Sequence, residues 1–258
     1  MELDSNVRAV AIIGAGTIAR TVGAELAAGA VPGLGLHGFL TREPRPGLPG
    51  PELAELPGRG AVVVEAASHQ AVHELGAQVL ASGADLICMS VGALADHELR
   101  ERLAGAAAAG GSRLIVPSGA IAGLDLLRAA AESGLDEVVI EQRKPPRALL
   151  PEDEADELTE AHVVFDGPVS GVVVAYPKTT NVAAAVALAG LGFDRTRAVV
   201  VADPSLSANR ALLTARGGFG TLTLQLDNVA SANPRTSSIV AYSVLATLRG
   251  LVEPLVVG

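Results

Sequence analysis

The chain has 258 residues, a formal net charge of −9 and a composition that is 49% hydrophobic, with no tryptophan. The acidic balance argues against nucleic acid as a partner, because phosphate backbones bind basic surfaces. The longest apolar runs are interrupted by Gly, Asp or Arg, so we expect no transmembrane helix and no membrane partner. The single cysteine, Cys88, excludes an internal disulfide and favours a reducing, cytoplasmic location. The acidic cluster at 152–157 contains no His, so we predict no metal site.

The most informative motif lies near the N-terminus. The apolar run Val10–Ile13 enters the sequence Gly14-Ala-Gly16-Thr-Ile-Ala19, and a helical pattern follows. This strand–turn–helix context is what a dinucleotide-binding fingerprint requires. Gly14 permits the tight turn, Gly16 lets the backbone approach a pyrophosphate, and Ala19 is small enough for close helix–strand packing. The helix N-terminus would supply free N–H groups to the phosphates.

Strand-like and helical segments alternate through the first half of the chain. The predicted strands are 7–13, 34–40, 62–66, 85–90 and 113–117, and the predicted helices are 18–28, 70–81, 96–109 and one after Gly123. This rhythm predicts an α/β fold with a doubly wound, parallel Rossmann sheet. Because such sheets bind ligands at the carboxyl ends of their strands, we expect cofactor contacts there. They are Gly14, Gly16, Thr17, Ile18, Thr41, Arg42, Ala67, Ser68, Ser90, Gly92, Ser118 and Ala120.

The second half of the chain has a different pattern, with short β-like runs and a single clear helix at 181–191. The predicted strands are 138–141, 163–166, 171–174, 198–202 and 221–227. This pattern predicts a smaller α+β domain with a mostly antiparallel sheet. Residues 145–156 are expected to form a solvated loop or a short exposed helix. We predict a dinucleotide-binding domain over residues 1–118, completed by a C-terminal helix within 235–258, and a substrate and dimerisation domain over residues 119–234.

The end of the second predicted strand bears on the choice of cofactor. An acidic residue there binds the ribose of NAD, whereas a nearby Arg accommodates the 2′-phosphate of NADP. In this chain the strand ends in Thr41-Arg42, and the nearest acid, Glu43, comes late. We therefore predict NADP as the cofactor, with NAD as the alternative. The other interpretation is that Arg42 is simply a solvated loop residue.

Several blocks together resemble the L-aspartate dehydrogenase family, in the family's order and over nearly the whole chain. The blocks are Val64–Val72, Met89–Asp96, Pro117–Asp125, Arg143–Pro146, Asn181–Ala184, Ala202–Pro204 with Asn209, Gly217–Gly220 and Asn233–Ser237. The resemblance implies a Rossmann domain closed by the C-terminal helix and a smaller α+β domain that carries substrate groups and a dimer interface. It also implies interconversion of aspartate with oxaloacetate and ammonia through an iminosuccinate, using NAD(P).

Two positions depart from the family pattern. That pattern resembles Asp-Pro-x-x-x-x-Asn-x-His, with the His in acid–base catalysis, but here the run from Asp203 places Ala211 in the His position. A methyl group cannot transfer protons. The second departure is the pair Thr179 and Thr180. The expected substrate-binding residues are Ser118, Gly119, Thr179, Thr180, Asn181, Asn209 and Ala211.

Three other side chains are candidates for the missing proton carrier. Lys178 and Lys144 qualify because a desolvated lysine has a lowered pKa and can act as an acid or a base. His69 qualifies because it follows a strand end on the cofactor side. A solvated surface position remains the alternative for both lysines. For His69 the alternative is a surface position, or a position behind the residues that touch the ligand.

These departures leave three hypotheses about function. A positioned acid or base contributes about 10²–10⁴-fold to rate, and a preformed protonated imine needs it least. The sequence therefore favours an NAD(P)-dependent oxidoreductase that reduces an imine, or aminates a keto acid, with an altered substrate. A genuine L-aspartate dehydrogenase with a replacement acid–base is the second hypothesis, and a non-catalytic nucleotide-binding protein is the third. In each case we expect a homodimer with a small-molecule ligand.

Overall fold

The computed structural model describes residues 7–43, 45, 47–48, 58–177, 179–229 and 237–256. Lys178, one of the predicted proton carriers, lies outside the described residues. The chain divides into two compact units. Unit 1 combines residues 1–117 with residues 241–258, and unit 2 comprises residues 118–240.

Unit 1 is built on a parallel sheet, whose described strands lie in the order β2-β1-β3-β4-β5. Its strands are β1 Arg8–Ile13, β2 Leu34–Leu40, β3 Val62–Glu65, β4 Asp85–Cys88 and β5 Leu114–Ile115. Strands β3 and β4 are buried along their whole length, which is typical of parallel sheets covered on both faces. The predicted α/β Rossmann sheet is confirmed, and the thiol of Cys88 is buried as its apolar setting indicated.

Four helices accompany this sheet: α1 Thr17–Ala27, α2 His69–Ala81, α3 His97–Gly110 and α8 Ile239–Gly250. The bounds of α1, α2 and α3 lie within one residue of the predicted helices, and α8 lies within the predicted C-terminal segment 235–258. Ser68 and Asp96 cap α2 and α3, because each side chain accepts a hydrogen bond from the backbone N–H three residues later. Near the end of α8, Arg249 donates to the carbonyl oxygen of Ala30 at 2.8 Å, which ties this helix to the chain segment after α1.

Unit 2 contains a second sheet, whose described strands lie in the order β10-β9-β6-β8-β7. Its strands are β6 Leu135–Lys144, β7 His162–Pro168, β8 Arg197–Ala202, β9 Arg210–Gly217 and β10 Gly220–Asp227. Its helices are α4 Leu124–Glu132, α5 Glu152–Glu157, α6 Val169–Ala175 and α7 Asn181–Ala189. Three of the four strand pairs are antiparallel and β6–β8 is parallel, so the predicted mostly antiparallel sheet is confirmed. The acidic cluster forms α5, the short helix that was one of the two expected outcomes.

The prediction of a strand at 171–174 is wrong, because these residues lie inside helix α6. Valine has a strong preference for strands, and this segment is rich in valine. The buried residues of α6 are Val169, Val172 and Val173, which recur at helical spacing. Burial of one helix face thus outweighs the local preference of the side chains.

Strand β9 was not predicted from the sequence. Arg, Ala and Leu dominate this segment, and all three favour helices. Its alternate residues Ala211, Leu213 and Ala215 are buried, as in a strand with one covered face. The pairing of β9 with β6 and β10 therefore decides its conformation.

Candidate active site

The predicted fingerprint turn has the geometry that its glycines require. Gly14 has a φ of +115°, and a Cβ there would lie 2.7 Å from the carbonyl oxygen of Ala66, so only glycine fits this position. Gly16 precedes helix α1, and a Cβ there would meet nothing within 4 Å. Ala19 is fully buried. The turn therefore leaves open space in front of the first N–H groups of α1, where a phosphate is favoured.

A buried carboxylate organises the loops that follow strands β3 and β4. Glu65 ends β3 and is only 1% exposed. Its Oε1 accepts hydrogen bonds from the backbone N–H groups of Ala67 and Ser68 at 2.8 and 2.9 Å, and from Ser90 Oγ at 2.9 Å. Its Oε2 accepts from Ser90 N at 3.0 Å. We call these four residues the Glu65 network.

Two predicted cofactor contacts therefore have partners within the protein. The hydroxyl of Ser68 accepts from Ala71 N at 3.2 Å as the cap of α2, and the hydroxyl of Ser90 donates to Glu65. Gly92 is buried in a short 3₁₀ helix, Val91–Ala95. A direct contact from any of these residues to the cofactor stays a prediction.

The predicted phosphate-binding pair lies on the surface of unit 1. Arg42 is 71% exposed in its side chain, and its Nη2 lies 3.6 Å from Glu74 Oε2. An exposed ion pair of this kind contributes little to stability, so the guanidinium can exchange this partner for a phosphate. The hydroxyl of Thr41 donates to the carbonyl oxygen of Glu43 at 2.6 Å.

His69, a candidate proton carrier, is the first residue of helix α2 and is half-buried. It follows the capping residue Ser68 and so stands at the end of the loop that Glu65 holds. The predicted contacts Ser118, Gly119 and Ala120 belong to unit 2 and precede α4. Ser118 is exposed, Gly119 has a φ of +64°, and Ala120 is buried.

Lys144 is a buried lysine at the carboxyl end of strand β6. It is 6% exposed, and its Nζ donates to the carbonyl oxygen of Thr179 at 2.6 Å. Among the described residues, no acidic side chain forms an ion pair with it. Burial lowers the pKa of Lys144 from 10.5 to about 8, because desolvation disfavours the charged ammonium. A proton on this side chain can therefore be exchanged near neutral pH.

Several buried polar atoms near Lys144 lack hydrogen-bond partners within the described part of the chain. Gln142 shares the buried face of β6 with Lys144 and pairs in register with Ala211 on β9, so these two side chains are neighbours on one face. The unpartnered atoms are Gln142 Oε1, Thr180 Oγ1 and Asn209 Oδ1. An unpartnered buried polar atom is costly and calls for an explanation, such as a bound ligand or water. We call Gln142, Lys144, Thr180, Asn209 and Ala211 the Lys144 cluster.

The remaining predicted substrate residues border this cluster. Thr179 supplies the carbonyl oxygen that holds Lys144, and its hydroxyl donates to Tyr176 O at 3.4 Å. Thr180 precedes helix α7 without capping it, and Asn181 is the first residue of that helix. Thr179 thus places a backbone carbonyl oxygen beside the buried ammonium.

Asp203 and its neighbours shape the turn before β9. Its Oδ1 accepts from the backbone and hydroxyl of Ser205 at 3.0 and 2.6 Å, and its Oδ2 lies 3.3 Å from Arg143 Nη1. These hydrogen bonds, with the charge of Arg143, hold the pKa of Asp203 below its usual value. Arg210, beside Ala211, forms an ion pair with Asp227 on the opposite face of the sheet from the Lys144 cluster.

Sequence reasoning assigned no role to Glu65 or Gln142. Glu65 interrupts a run of valines that is buried on both faces, and an acid in such a run signals a carboxylate with dedicated partners. Gln142 is one of the alternating buried residues of β6. The predicted strand covered only 138–141, so its burial became visible only when the structure showed that β6 extends to Lys144.

Two further observations on the described residues concern membranes and metal ions. No described helix combines the length and apolar character that crossing a membrane requires. No cluster of three or more His, Cys, Asp or Glu side chains suited to a metal ion is found in the described ranges.

The fold and the site first define a class. A fingerprint turn on a parallel sheet, followed by a mixed-sheet unit with polar groups at its strand ends, is the arrangement of NAD(P)-dependent oxidoreductases with a separate substrate unit. Residues 14–117 match the family model described as homoserine dehydrogenase, NAD binding domain, and residues 125–251 match aspartate dehydrogenase, C-terminal.

Similar proteins narrow this class. L-aspartate dehydrogenase 2 of Bordetella pertussis is 46% identical over 255 residues, which cover 93% of this chain and 95% of the relative. L-aspartate dehydrogenase of Methanosarcina acetivorans is 40% identical over 205 residues, 76% of each chain. The crystal structure of aspartate dehydrogenase from Thermotoga maritima has a TM-score of 0.81 and 30% identity, and it covers 97% of this chain and 99% of its own.

The chain therefore belongs to the L-aspartate dehydrogenase family. It is an NAD(P)-dependent amino-acid dehydrogenase, and the resemblance seen in the sequence is confirmed at the level of the family. The replacement of a family histidine by Ala211 stays a prediction.

Proposed function

We propose that this protein is an L-aspartate dehydrogenase, which oxidises L-aspartate to oxaloacetate and ammonia with NAD(P)⁺ and catalyses the reverse reaction. One observation carries the proposal: relatives named L-aspartate dehydrogenase match at 40–46% identity, one of them across 93% of the chain. The retained fingerprint turn and the buried lysine of unit 2 support it.

This proposal reverses the order of the hypotheses that the sequence favoured. An altered substrate, or reduction of a preformed imine, rested on Ala211 and on the second departure at Thr179 and Thr180. The similarity extends through both halves of the chain, and Lys144 offers a proton carrier in the unit that contains Ala211. The genuine dehydrogenase with a replacement acid–base therefore fits better.

The residues of unit 1 fit an NAD(P) cofactor. The open space beside Gly16 would admit a pyrophosphate, and the N–H groups of α1 would hold it. Thr17 and Ile18, in the first turn of α1, would flank it. When bound, the cofactor supplies a nicotinamide ring that accepts hydride from the substrate Cα. The residues after β3 and β4, among them Ala67 and Gly92, would border the cofactor at the same end of the sheet.

Lys144 would carry the proton that amine oxidation releases. As a neutral amine it takes a proton from the substrate ammonium, which leaves the amine lone pair free to form the imine as Cα loses hydride. Lys144 then becomes an ammonium, held by the carbonyl oxygen of Thr179. In the reverse direction the same ammonium returns the proton. A pKa of about 8 suits both directions.

The other members of the Lys144 cluster would bind the substrate. The unpartnered Oε1 of Gln142 can accept a hydrogen bond from an ammonium, and the hydroxyl of Thr180 can donate to a carboxylate. The side-chain amide of Asn209 can donate in the same way. Asn181, Ser118 and Gly119 remain proposed substrate contacts by family resemblance, and Lys178 and His69 remain the alternative proton carriers.

Three further properties remain part of this proposal. NADP is preferred over NAD because Arg42 is exposed at the end of β2. The protein forms a homodimer through the face of the unit 2 sheet that carries Leu212 and Thr214, since this face alternates with the buried one. The cytoplasm is the proposed location because the only cysteine is a free thiol.

Steady-state assays of the purified protein test the function. L-Aspartate with NADP⁺ or NAD⁺ should give turnover of about 1–10³ s⁻¹, the usual range for enzymes, while D-aspartate and L-malate should give little. Reduction of a panel of cyclic imines with NADPH, in the absence of aspartate turnover, would instead support an altered substrate. Cofactor binding with no turnover on any of these compounds would support the non-catalytic hypothesis.

A further inference from the structure

We infer that Glu65 is a positioning residue for the cofactor, which acts by fixing the two loops that follow β3 and β4. The inference rests on NAD(P) binding and not on the identity of the amino acid. An assay of cofactor binding alone therefore separates its failure from the failure of the proposed function.

The groups that donate hydrogen bonds to Glu65 lie in these two loops or at the last residue of β4. Oε1 receives two backbone N–H groups from the loop after β3, and both oxygens receive donors from Ser90 after β4. A further donor is the thiol of Cys88, whose Sγ lies 3.9 Å from Oε2. One carboxylate thus joins the two loops through their backbone N–H groups.

A side chain with two acceptor oxygens matches this set of donors. Both oxygens accept from backbone N–H groups, Oε1 from Ala67 and Ser68 and Oε2 from Ser90, and an N–H group offers no acceptor for a glutamine NH₂. In Glu65→Gln, the side-chain NH₂ takes the place of one of the two carboxylate oxygens. At either oxygen position it would face at least one backbone N–H group. At least one loop would then lose its anchor, although the side chain keeps its size.

A second buried carboxylate on the same sheet provides a matched control. Asp85 begins β4, at the opposite end of the strands from Glu65, and is 6% exposed. It pairs with Arg8 and Arg113, each at 2.8 Å, and these arginines hold the pKa of Asp85 below its usual value although burial opposes them. It contacts neither loop of the Glu65 network, so its removal affects the fold without touching the cofactor end.

The Glu65 network lies next to the turn that is proposed to bind the cofactor. Strand β1, with the Gly14 turn, pairs with β3 so that Ile13 lies opposite Glu65, and Gly14 packs against Ala66. Glu65 therefore ends its strand directly beside the turn that receives the pyrophosphate. Movement of the loop at Ala66 and Ala67 would reach Gly14 without an intermediary, because a Cβ at Gly14 would touch both residues.

Fluorescence titration of NADPH and NADH, without substrate, tests the inference. The chain has no tryptophan, so the nicotinamide is excited directly. Glu65→Gln should raise the dissociation constant of both cofactors by about 10–100-fold, since each lost charge-assisted hydrogen bond leaves a buried donor unsatisfied. Asp85→Asn should leave both dissociation constants within about twofold while lowering the melting temperature, because its lost ion pairs lie at the other end of the sheet.

Ser90→Ala provides a second variant in case Glu65→Gln does not fold. It removes one donor to Oε1 and should weaken cofactor binding about 3–10-fold, the effect of a single hydrogen bond. In Glu65→Gln, the loss should appear mainly in the KM for the cofactor and not in kcat at saturating cofactor, since the effect lies in binding. Wild-type affinity in Glu65→Gln and Ser90→Ala would overturn the inference. Equal weakening in Asp85→Asn would also overturn it, since that would make the effect one of general stability.

Discussion

The two units differ in how completely the polar groups at their candidate binding sites are hydrogen-bonded. In unit 1, the loops after β3 and β4 satisfy one another, because Glu65 accepts the N–H groups of Ala67, Ser68 and Ser90. In unit 2, several polar atoms of the Lys144 cluster are buried but incomplete: Gln142 Oε1, Thr180 Oγ1 and Asn209 Oδ1 have no hydrogen-bond partner among the described residues. Of the residues that the structure describes, only Thr179 supplies a hydrogen-bond acceptor to Lys144, through its carbonyl oxygen.

This difference corresponds to two kinds of binding task. A cofactor with a constant shape is held by backbone N–H groups, so the protein fixes the loops in advance. A small substrate that gains and loses protons needs side chains that can exchange partners, and these stay under-satisfied until it binds. Unit 1 is therefore interpreted as the pre-arranged half, and unit 2 as the half that takes part in chemistry.

The largest expected effect is on Lys144. Lys144→Met should lower turnover of L-aspartate by about 10²–10⁴-fold, the usual contribution of a positioned acid–base, while cofactor affinity stays unchanged because unit 1 is intact. Steady-state kinetics and a cofactor titration measure both. The chain has only one other lysine, Lys178, so Lys178→Met is the matched comparison.

A second substitution tests whether a histidine at position 211 can partly replace Lys144. Ala211 lies beside Gln142, so an imidazole introduced by Ala211→His would meet the unpartnered Oε1 of that residue. In the Lys144→Met background, Ala211→His should recover part of the lost turnover, and in the wild type it should change little. A larger loss in Lys178→Met than in Lys144→Met would move the proton carrier to Lys178.

The two glycines of the fingerprint separate fold from binding within unit 1. Gly14→Ala should lower the free energy of unfolding by about 1–3 kcal/mol, because φ is positive and the carbonyl of Ala66 blocks the added Cβ. Gly16→Ala should leave stability unchanged, since its Cβ enters open space, but should weaken cofactor binding. Denaturant unfolding and NADPH titration distinguish them, and equal stability of the two variants would refute the assignment.

Arg42 should affect one cofactor only. Arg42→Ala should weaken NADPH binding about tenfold, as expected for loss of one charge-assisted contact at an exposed site, and leave NADH binding unchanged. Titration with both cofactors measures the ratio. An equal effect on NADPH and NADH would show that Arg42 does not contact the 2′-phosphate.

The smallest expected effect on catalysis concerns assembly. Light scattering at micromolar concentration should give twice the mass of one chain. Leu212→Glu, on the face of β9 that is opposite to Ala211, should shift the protein toward monomer, because a charge would be desolvated there. Leu126→Glu, at an exposed position on α4, should leave the mass unchanged. A monomer in the wild type would contradict the proposed homodimer.

Local sequence patterns predicted most of unit 1. The apolar run of β1, the turn at Gly14 and the small Ala19 each specify their structure through nearest neighbours. Strand β2 has the predicted bounds, Leu34–Leu40. Such local agreement explains why the α/β class followed from the sequence.

Unit 2 was less predictable because its structure depends on distant pairing. Helix α6 has the composition of a strand, and β9 has the composition of a helix. Only the partners in the sheet and the buried face decide between these alternatives. The same dependence hid the neighbours of Lys144, because the pairing of Gln142 with Ala211 joins residues that are far apart in the chain.

The pH dependence of kcat/KM for L-aspartate oxidation tests the central claim most directly. Burial lowers the pKa of Lys144 to about 8, and oxidation requires the neutral amine, so kcat/KM should rise with pH and level off above about 8. In Lys144→Met this inflection should disappear together with most of the activity. A Lys144→Met enzyme with the wild-type rate and the same inflection would contradict the claim that unit 2 supplies the proton transfer through Lys144.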